Sequence, residues 1–186
     1  MFTSGIQQIG VGVRDVKEAF EWYNRVLGFD VPVFEEAAEA GLMLPYTGGQ
    51  PQARHAILAI NMLGGGGLEI WQYTHRKPLA SSFSPQIGDL GIFATKIKCR
   101  LIDAFHTNLT ALGIHPACAP QPSPVGRRLM WLRDPWGNAF EVGEFEDWHY
   151  RSNRKLVGGV FGAIIGVSDM EHSILPRSVG IRPNRV

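Results

Sequence analysis

Residues 6–13, IQQIGVGV, alternate in character: Ile9, Val11 and Val13 point one way, and Gln8, Gly10 and Gly12 the other. That period of two predicts a strand with one apolar face and one bare face. Asp15 stands where a helix N-cap belongs, Val16, Phe20, Tyr23 and Leu27 follow at helical spacing, and Gly28 supplies a C-terminal stop. Residues 29–35 predict a short strand and 36–53 a loop, followed by strands at 54–62 and 68–74. The Gly64–Gly67 run between those strands has neither the lysine nor the helix of a phosphate-binding loop and reads as a flexible hairpin. The first half is thus β-α-β-β-β.

The second half repeats this order. A strand is predicted at 89–97, then a helix with Leu101, Phe105, Leu109 and Leu112 on one face, ending at Gly113. Strands follow near 114–119, at 127–133 and at 139–145, the last two joined by a turn at Asp134-Pro135-Trp136-Gly137-Asn138. A period this long marks a duplication rather than a solenoid. A further copy opens at Val157–Val167, with Ser168-Asp169-Met170 echoing the first helix start, and the pattern then fails over 175–186. One coding string compatible with that tail, shifted by one base, reads FRDLLGYDRIV, close to the helix end Tyr23–Asp30. The expectation is a frameshifted, truncated tandem chain, the alternative being an ordinary disordered tail. The domain reading is 1–148 (units 1–75 and 88–146), followed by 155–186 as the truncated start of a second domain.

Composition narrows the function classes. Of 186 residues, 45% are hydrophobic and 19% charged, which is globular. Eighteen Lys and Arg against seventeen Asp and Glu leave a formal charge of +1, which argues against a nucleic-acid binder or a polybasic membrane anchor. No stretch reads as a secretory leader or a bilayer span, so a cytoplasmic location is expected. Cys99 and Cys118 lack metal-ligand spacing and are expected to be free thiols.

Paired β-α-β-β-β units, the V-x-D opening at Val13–Asp15, the Tyr23–Asp30 helix end, the Leu68-Glu69-Ile70 strand and the Asp134–Glu141 hairpin carry a resemblance. The chain resembles the vicinal oxygen chelate superfamily of glyoxalases, bleomycin resistance proteins and extradiol dioxygenases. The resemblance implies an α+β fold in which two units close around one cleft, here with an orphan strand added. It also implies a divalent metal (Zn, Mn, Fe or Ni) held from the first and fourth strands of each unit. The matching positions are Gln8, Glu69 and Glu141, with the remaining position at Gly91, or Leu90 in a register one residue away, where no ligand is available.

The faces of the strands point to the same residues independently. Gln8 lies on the bare face, Glu69 shares a face with Trp71, Tyr73 and His75, and Glu141 shares one with Gly143 and Phe145. Two carboxylates and an amide could hold a hard or borderline cation, and Glu69 or Glu141 could move a proton. Alternatively, Glu69 and Glu141 are polar residues of a wet cleft. Trp71, Tyr73 and Trp131 are candidate stacking surfaces, His55 a candidate at a strand start, and Arg128 a candidate for an anionic group, with Arg127 and Arg133 beside it. The other histidines form no metal-ligand spacing. The functional expectation is a protein acting on or binding a small organic molecule, either by metal-assisted lyase, isomerase or dioxygenase chemistry or as a metal-free binder or structural copy. The apolar strand Val157–Val167 is expected to pair with an edge of the first domain or with a second chain in a homodimer.

Overall fold

The computed structural model describes residues 5–75, 77, 79, 82–146 and 155–174. The tail at 175–186 and the predicted boundary near 148 lie outside them. The first unit runs β1 (Gln8–Gly12), α1 (Val16–Leu27), β2 (Val31–Glu39), a 3-10 turn (Gly41–Tyr46), β3 (Ala53–Ile60) and β4 (Gly67–Tyr73). The second runs β5 (Gly91–Cys99), α2 (Ile102–Ala111), β6 (Gln121–Pro122), β7 (Arg128–Arg133) and β8 (Ala139–Glu144). A last strand, β9 (Val157–Gly166), leads into the short helix α3 (Met170–Ile174). Sheet A has the order β1-β4-β3-β2, and sheet B the order β6-β7-β8-β5-β9. In each unit the first strand lies parallel to the fourth and the others run antiparallel.

Local chemistry sets the helix ends. The Asp15 carboxylate accepts from the N–H groups of Lys17 and Glu18, and Gly28 closes α1 at φ 70°. At α2 the preceding residue is Leu101, which has no capping group, and Oε1 of Glu144 on β8 accepts from the Ile102 N–H at 3.0 Å instead. The buried face of α2 is Ile102, Phe105 and Leu109. Leu101 and Leu112, expected on that face, are 55% and 43% exposed, because the helix starts one residue later than the pattern implied.

One core joins both units. Ile9, Val11, Tyr23, Leu27 and Ile70 of the first pack in a single cluster with Ile97, Phe105, Met130, Phe140 and Val142 of the second. Burying side chains of this size contributes on the order of 1.5–3 kcal/mol each. A polar joint reinforces it: the Tyr23 hydroxyl donates to buried Asp134 in the β7–β8 turn. The amide of Asn138 in that turn donates to the Gly12 carbonyl at 3.1 Å. The Asp134 carboxylate also accepts from the Trp136 and Asn138 backbone N–H groups, so the turn is locked by its own first residue.

β9 pairs antiparallel with the free edge of β5 in the same chain. Its first residues also cross to the first unit, where Gly159 N–H donates to Gly64 O at 2.6 Å and Gly66 N–H to Val160 O at 2.6 Å. Buried Asn61 adds a bond from its amide to Val157 O at 2.8 Å. The Gly64–Gly67 run is therefore a docking seat rather than a loose hairpin. A Cβ at Gly159 would lie 2.5 Å from Gly66 O, and one at Gly66 would lie 2.4 Å from Ile6 O. Backbone contact this close leaves room for glycine alone.

Candidate functional site

The faces of sheets A and B turned away from the core carry the polar and aromatic residues of the cleft. On sheet A, Gln8 of β1 donates through Nε2 to Glu69 Oε2 of β4 at 2.6 Å, so the sequence-predicted pair meets across a strand boundary. Beyond Glu69, Trp71 and Tyr73 pack edge to face at 5.9 Å, and the Arg54 guanidinium lies 4.9 Å from the Trp71 ring centre. Arg54 also pairs with Glu36 on β2. The stacking surfaces of Trp71 are thus partly covered by the protein's own side chains.

On sheet B, Glu141 is 9% exposed and its Oε1 sits 2.9 Å from the Lys96 ammonium on neighbouring β5. Lys96 is directly opposite Glu141 in the ladder, just as Gly10 is opposite Glu69 in sheet A. Stepping back two residues along each first strand gives Gln8 in one unit and Ala94 in the other. Seven residues before the cap of α1 is Gln8, and seven before the cap of α2 is Ala94. The expected fourth position at Gly91 is therefore corrected to Ala94, three residues on. Gly91, the first residue of β5, pairs with Gly166 and has φ 103°.

Two other candidates change faces. Arg128 alternates with Met130 and Leu132, which are fully buried in the core, so it points to the helix side. There it forms a two-pronged ion pair with Asp103 of α2, with Nη2 to Oδ1 at 2.7 Å. The paired guanidinium holds the Asp103 carboxyl below its ordinary range, and Asp103 in turn raises Arg128. His55 alternates with core residues Ile57 and Ala59, and its Nε2 is 2.9 Å from Glu35 Oε1, beside Lys17 of α1. Both errors come from counting a strand face one residue out, which inverts every side chain on it.

Trp131 does face the cleft. Its ring lies 6.0 Å from that of Phe93, tilted by 54°. The two rings, with Ile87, Leu132, Arg133 and Ala139, line a cavity of about 290 Å³. An adjoining cavity of about 170 Å³ shares Phe93, Arg133 and Ala139 and reaches Gly10 of β1 and Ala94 of β5. The first strands of the two units thus border one space, through Gly10 in one and Ala94 in the other. Phe93, Ala94 and Lys96 were not singled out by the sequence, whereas Arg133 was named beside Arg128 for an anionic group; Ala94 is marked only once the start of α2 after Leu101 is known.

The donors do not fit a resident divalent metal. The fourth-strand carboxylate of the second unit faces an ammonium, the first-strand position is an alanine, and the amide of Gln8 is turned toward Glu69. A cation at Glu141 would meet the Lys96 charge at close range. Among the described residues, no group of three or more His, Cys, Asp or Glu is placed to hold a metal.

Two duplicated β-α-β-β-β units around a shared cleft define a class of paired-module proteins. Residues 5–142 match the sequence model of the Glyoxalase/Bleomycin resistance protein/Dioxygenase superfamily, and the chain belongs to that superfamily. A search of curated proteins found no match. Among solved structures, a glyoxalase family protein from Bacillus cereus is similar at 15% identity and TM-score 0.61, over 77% of this chain and 95% of that one. One from Enterococcus faecalis has 20% identity and TM-score 0.57, over 77% and 100%. A glyoxalase I mutant from Zea mays has 13% identity and TM-score 0.55, over 77% of this chain and 46% of the other. At these identities the likeness is one of fold. No helix among the described residues is long and apolar enough to cross a membrane.

Proposed function

We propose that this chain binds a small organic molecule in the cleft between its two sheets and does so without a metal. The observation that carries this reading is the Lys96–Glu141 pair, 2.9 Å apart at the position where the second unit would present a ligand. A carboxylate already neutralised by an ammonium is a poor partner for a divalent cation, and displacing the ammonium leaves it unpaired in a half-buried site. Supporting it, Ala94 offers no donor, and the adjoining cavity at Phe93 and Trp131 is walled mainly by apolar and aromatic groups, as suits an organic ligand.

The test is thermal melting of metal-stripped protein with Zn, Mn, Fe(II) under anaerobic conditions, and Ni. The expected result is no saturable rise in Tm with any of them. A rise that saturates, and that Glu69→Gln and Glu141→Gln each abolish, would overturn the proposal in favour of a metal-assisted enzyme.

A further inference from the structure

Resting on that small-molecule reading, we infer that the ligand is a flat aromatic monocarboxylic acid, its ring against Phe93 and Trp131 and its carboxylate on Arg133. The two rings stand 6.0 Å apart at a tilt of 54° and line the same cavity. Tilted aromatic surfaces of this kind favour another planar π-system over a bulky aliphatic one. Ile87, Leu132 and Ala139 complete the apolar lining.

Charge sets the second half of the inference. Among the described residues, Arg133 is the one charged side chain lining either cavity, and it lines both. Its Nη1 donates to Gly137 O at 3.1 Å, which fixes the guanidinium at the rim while using one of its five N–H donors. Its neighbour in sequence, Asp134, does not neutralise it, because that carboxylate is engaged by Tyr23, Trp136 and Asn138. A planar guanidinium recognises a carboxylate with two parallel hydrogen bonds. A single cation suits a monoanion better than a phosphate dianion. The lining also disfavours a sugar: among the described residues its polar side chains besides Arg133 are Thr95 and Asn138, and the Asn138 amide is occupied by Asp134 and Gly12.

The experiment is a titration of the whole protein with 2-naphthoate, 2-naphthamide and cyclohexanecarboxylate, read by calorimetry and by tryptophan fluorescence. 2-Naphthoate is expected to bind at least about tenfold more tightly than the uncharged amide, the ratio one charge-assisted pair supplies. Arg133→Gln should weaken the acid far more than the amide and so collapse that ratio, and Trp131→Leu should weaken both naphthyl probes. Cyclohexanecarboxylate should bind more weakly than 2-naphthoate. Equal affinity for acid and amide, indifference to Arg133→Gln, or no saturable binding of either naphthyl probe would each overturn the inference. None of those outcomes touches the metal-free reading, which stands or falls on the metal titration.

Discussion

The Lys96 ammonium stands 2.9 Å from Glu141 Oε1, on a ladder rung whose counterpart in the first unit joins Gly10 to Glu69. One unit therefore sets a lysine where the other has no side chain at all. The duplicated halves keep their backbone register while their cleft chemistry has diverged, and the two carboxylates at equivalent positions have different partners.

Removing the ammonium and adding a donor should reverse that divergence. Lys96→Ala combined with Ala94→His frees Glu141 and places an imidazole at the position matching Gln8, in a cavity that also reaches Gly10. Nickel at about a hundred times its Kd should then raise Tm by about 5–10 °C, from a stabilisation of roughly 2.7 kcal/mol. Gly91→His should give no such rise, since that residue opens β5 with positive φ, three residues before the pairing with β8 begins. Equal nickel responses in the two variants would contradict the register assigned to the second unit.

Tyr23→Phe should cost about 1–3 kcal/mol, measured by urea denaturation at neutral pH. The hydroxyl is lost from buried Asp134, while the bonds from Trp136 and Asn138 remain and hold the turn. A change below a few tenths of a kcal/mol would show that the Tyr23–Asp134 contact contributes nothing to joining the units.

Stability should decline in alkali. Burial raises Tyr23 far above the usual phenol range, with the Asp134 carboxylate adding to the effect, and burial pushes the Cys99 thiol up from 9.0 to about 12. Both groups keep a proton in the folded state that the unfolded chain releases. Their contribution is complete below pH 9, and for Cys99 it falls away as pH rises from 9 toward 12. Chemical denaturation from pH 8 to 11 should show this slope, and Tyr23→Phe and Cys99→Ala should each flatten it. A wild-type profile level to pH 11 would refute the assignment.

Thiol labelling separates the two cysteines. Cys99 is fully buried and Cys118 partly exposed. A disulfide reagent at pH 8 should modify one thiol rapidly in the native protein and both in denaturant. Cys118→Ser should leave the native protein unreactive on the same timescale; fast labelling of that variant would place Cys99 at the surface.

Much of the fold was legible because the repeated strand and helix periods run through one buried cluster. Ile9, Val11 and Val13 alternate because they belong to the buried cluster, and the Asp15 and Gly28 caps are local chemistry. What escaped was parity and contact. Arg128 and His55 each sit one position from the cleft-facing set, and composition does not say which neighbour turns inward. β2 extends to Glu39 through residues expected to be loop, because pairing with β3 overrides the weak strand preference of Glu and Ala. In the candidate site, strand parity put Gln8 and Glu69 on polar faces but not in contact, which follows from β1 lying beside β4, and Lys96 acquired its meaning only when Glu141 was found opposite it.

Replacing Gly159 with valine should loosen the seam between β9 and the first unit, since its Cβ would strike Gly66 O. Overpacking against backbone typically costs 1–3 kcal/mol. Asn61→Ala is the gentler companion, removing the amide bond to Val157 O for about 1–2 kcal/mol. Stability unchanged in both variants, by chemical denaturation, would mean that β9 is held by β5 alone.

The seat formed by Gly64–Gly67 also governs how the molecule comes apart and together. Asn61 and Val157 meet across 96 positions of sequence, so closing this contact joins two distant stretches of chain. Such closures are entropically costly early in folding and become favourable once the intervening units are in place. Both halves are then tied into one mechanical circuit, and heat or denaturant should melt them in a single cooperative step rather than unit by unit.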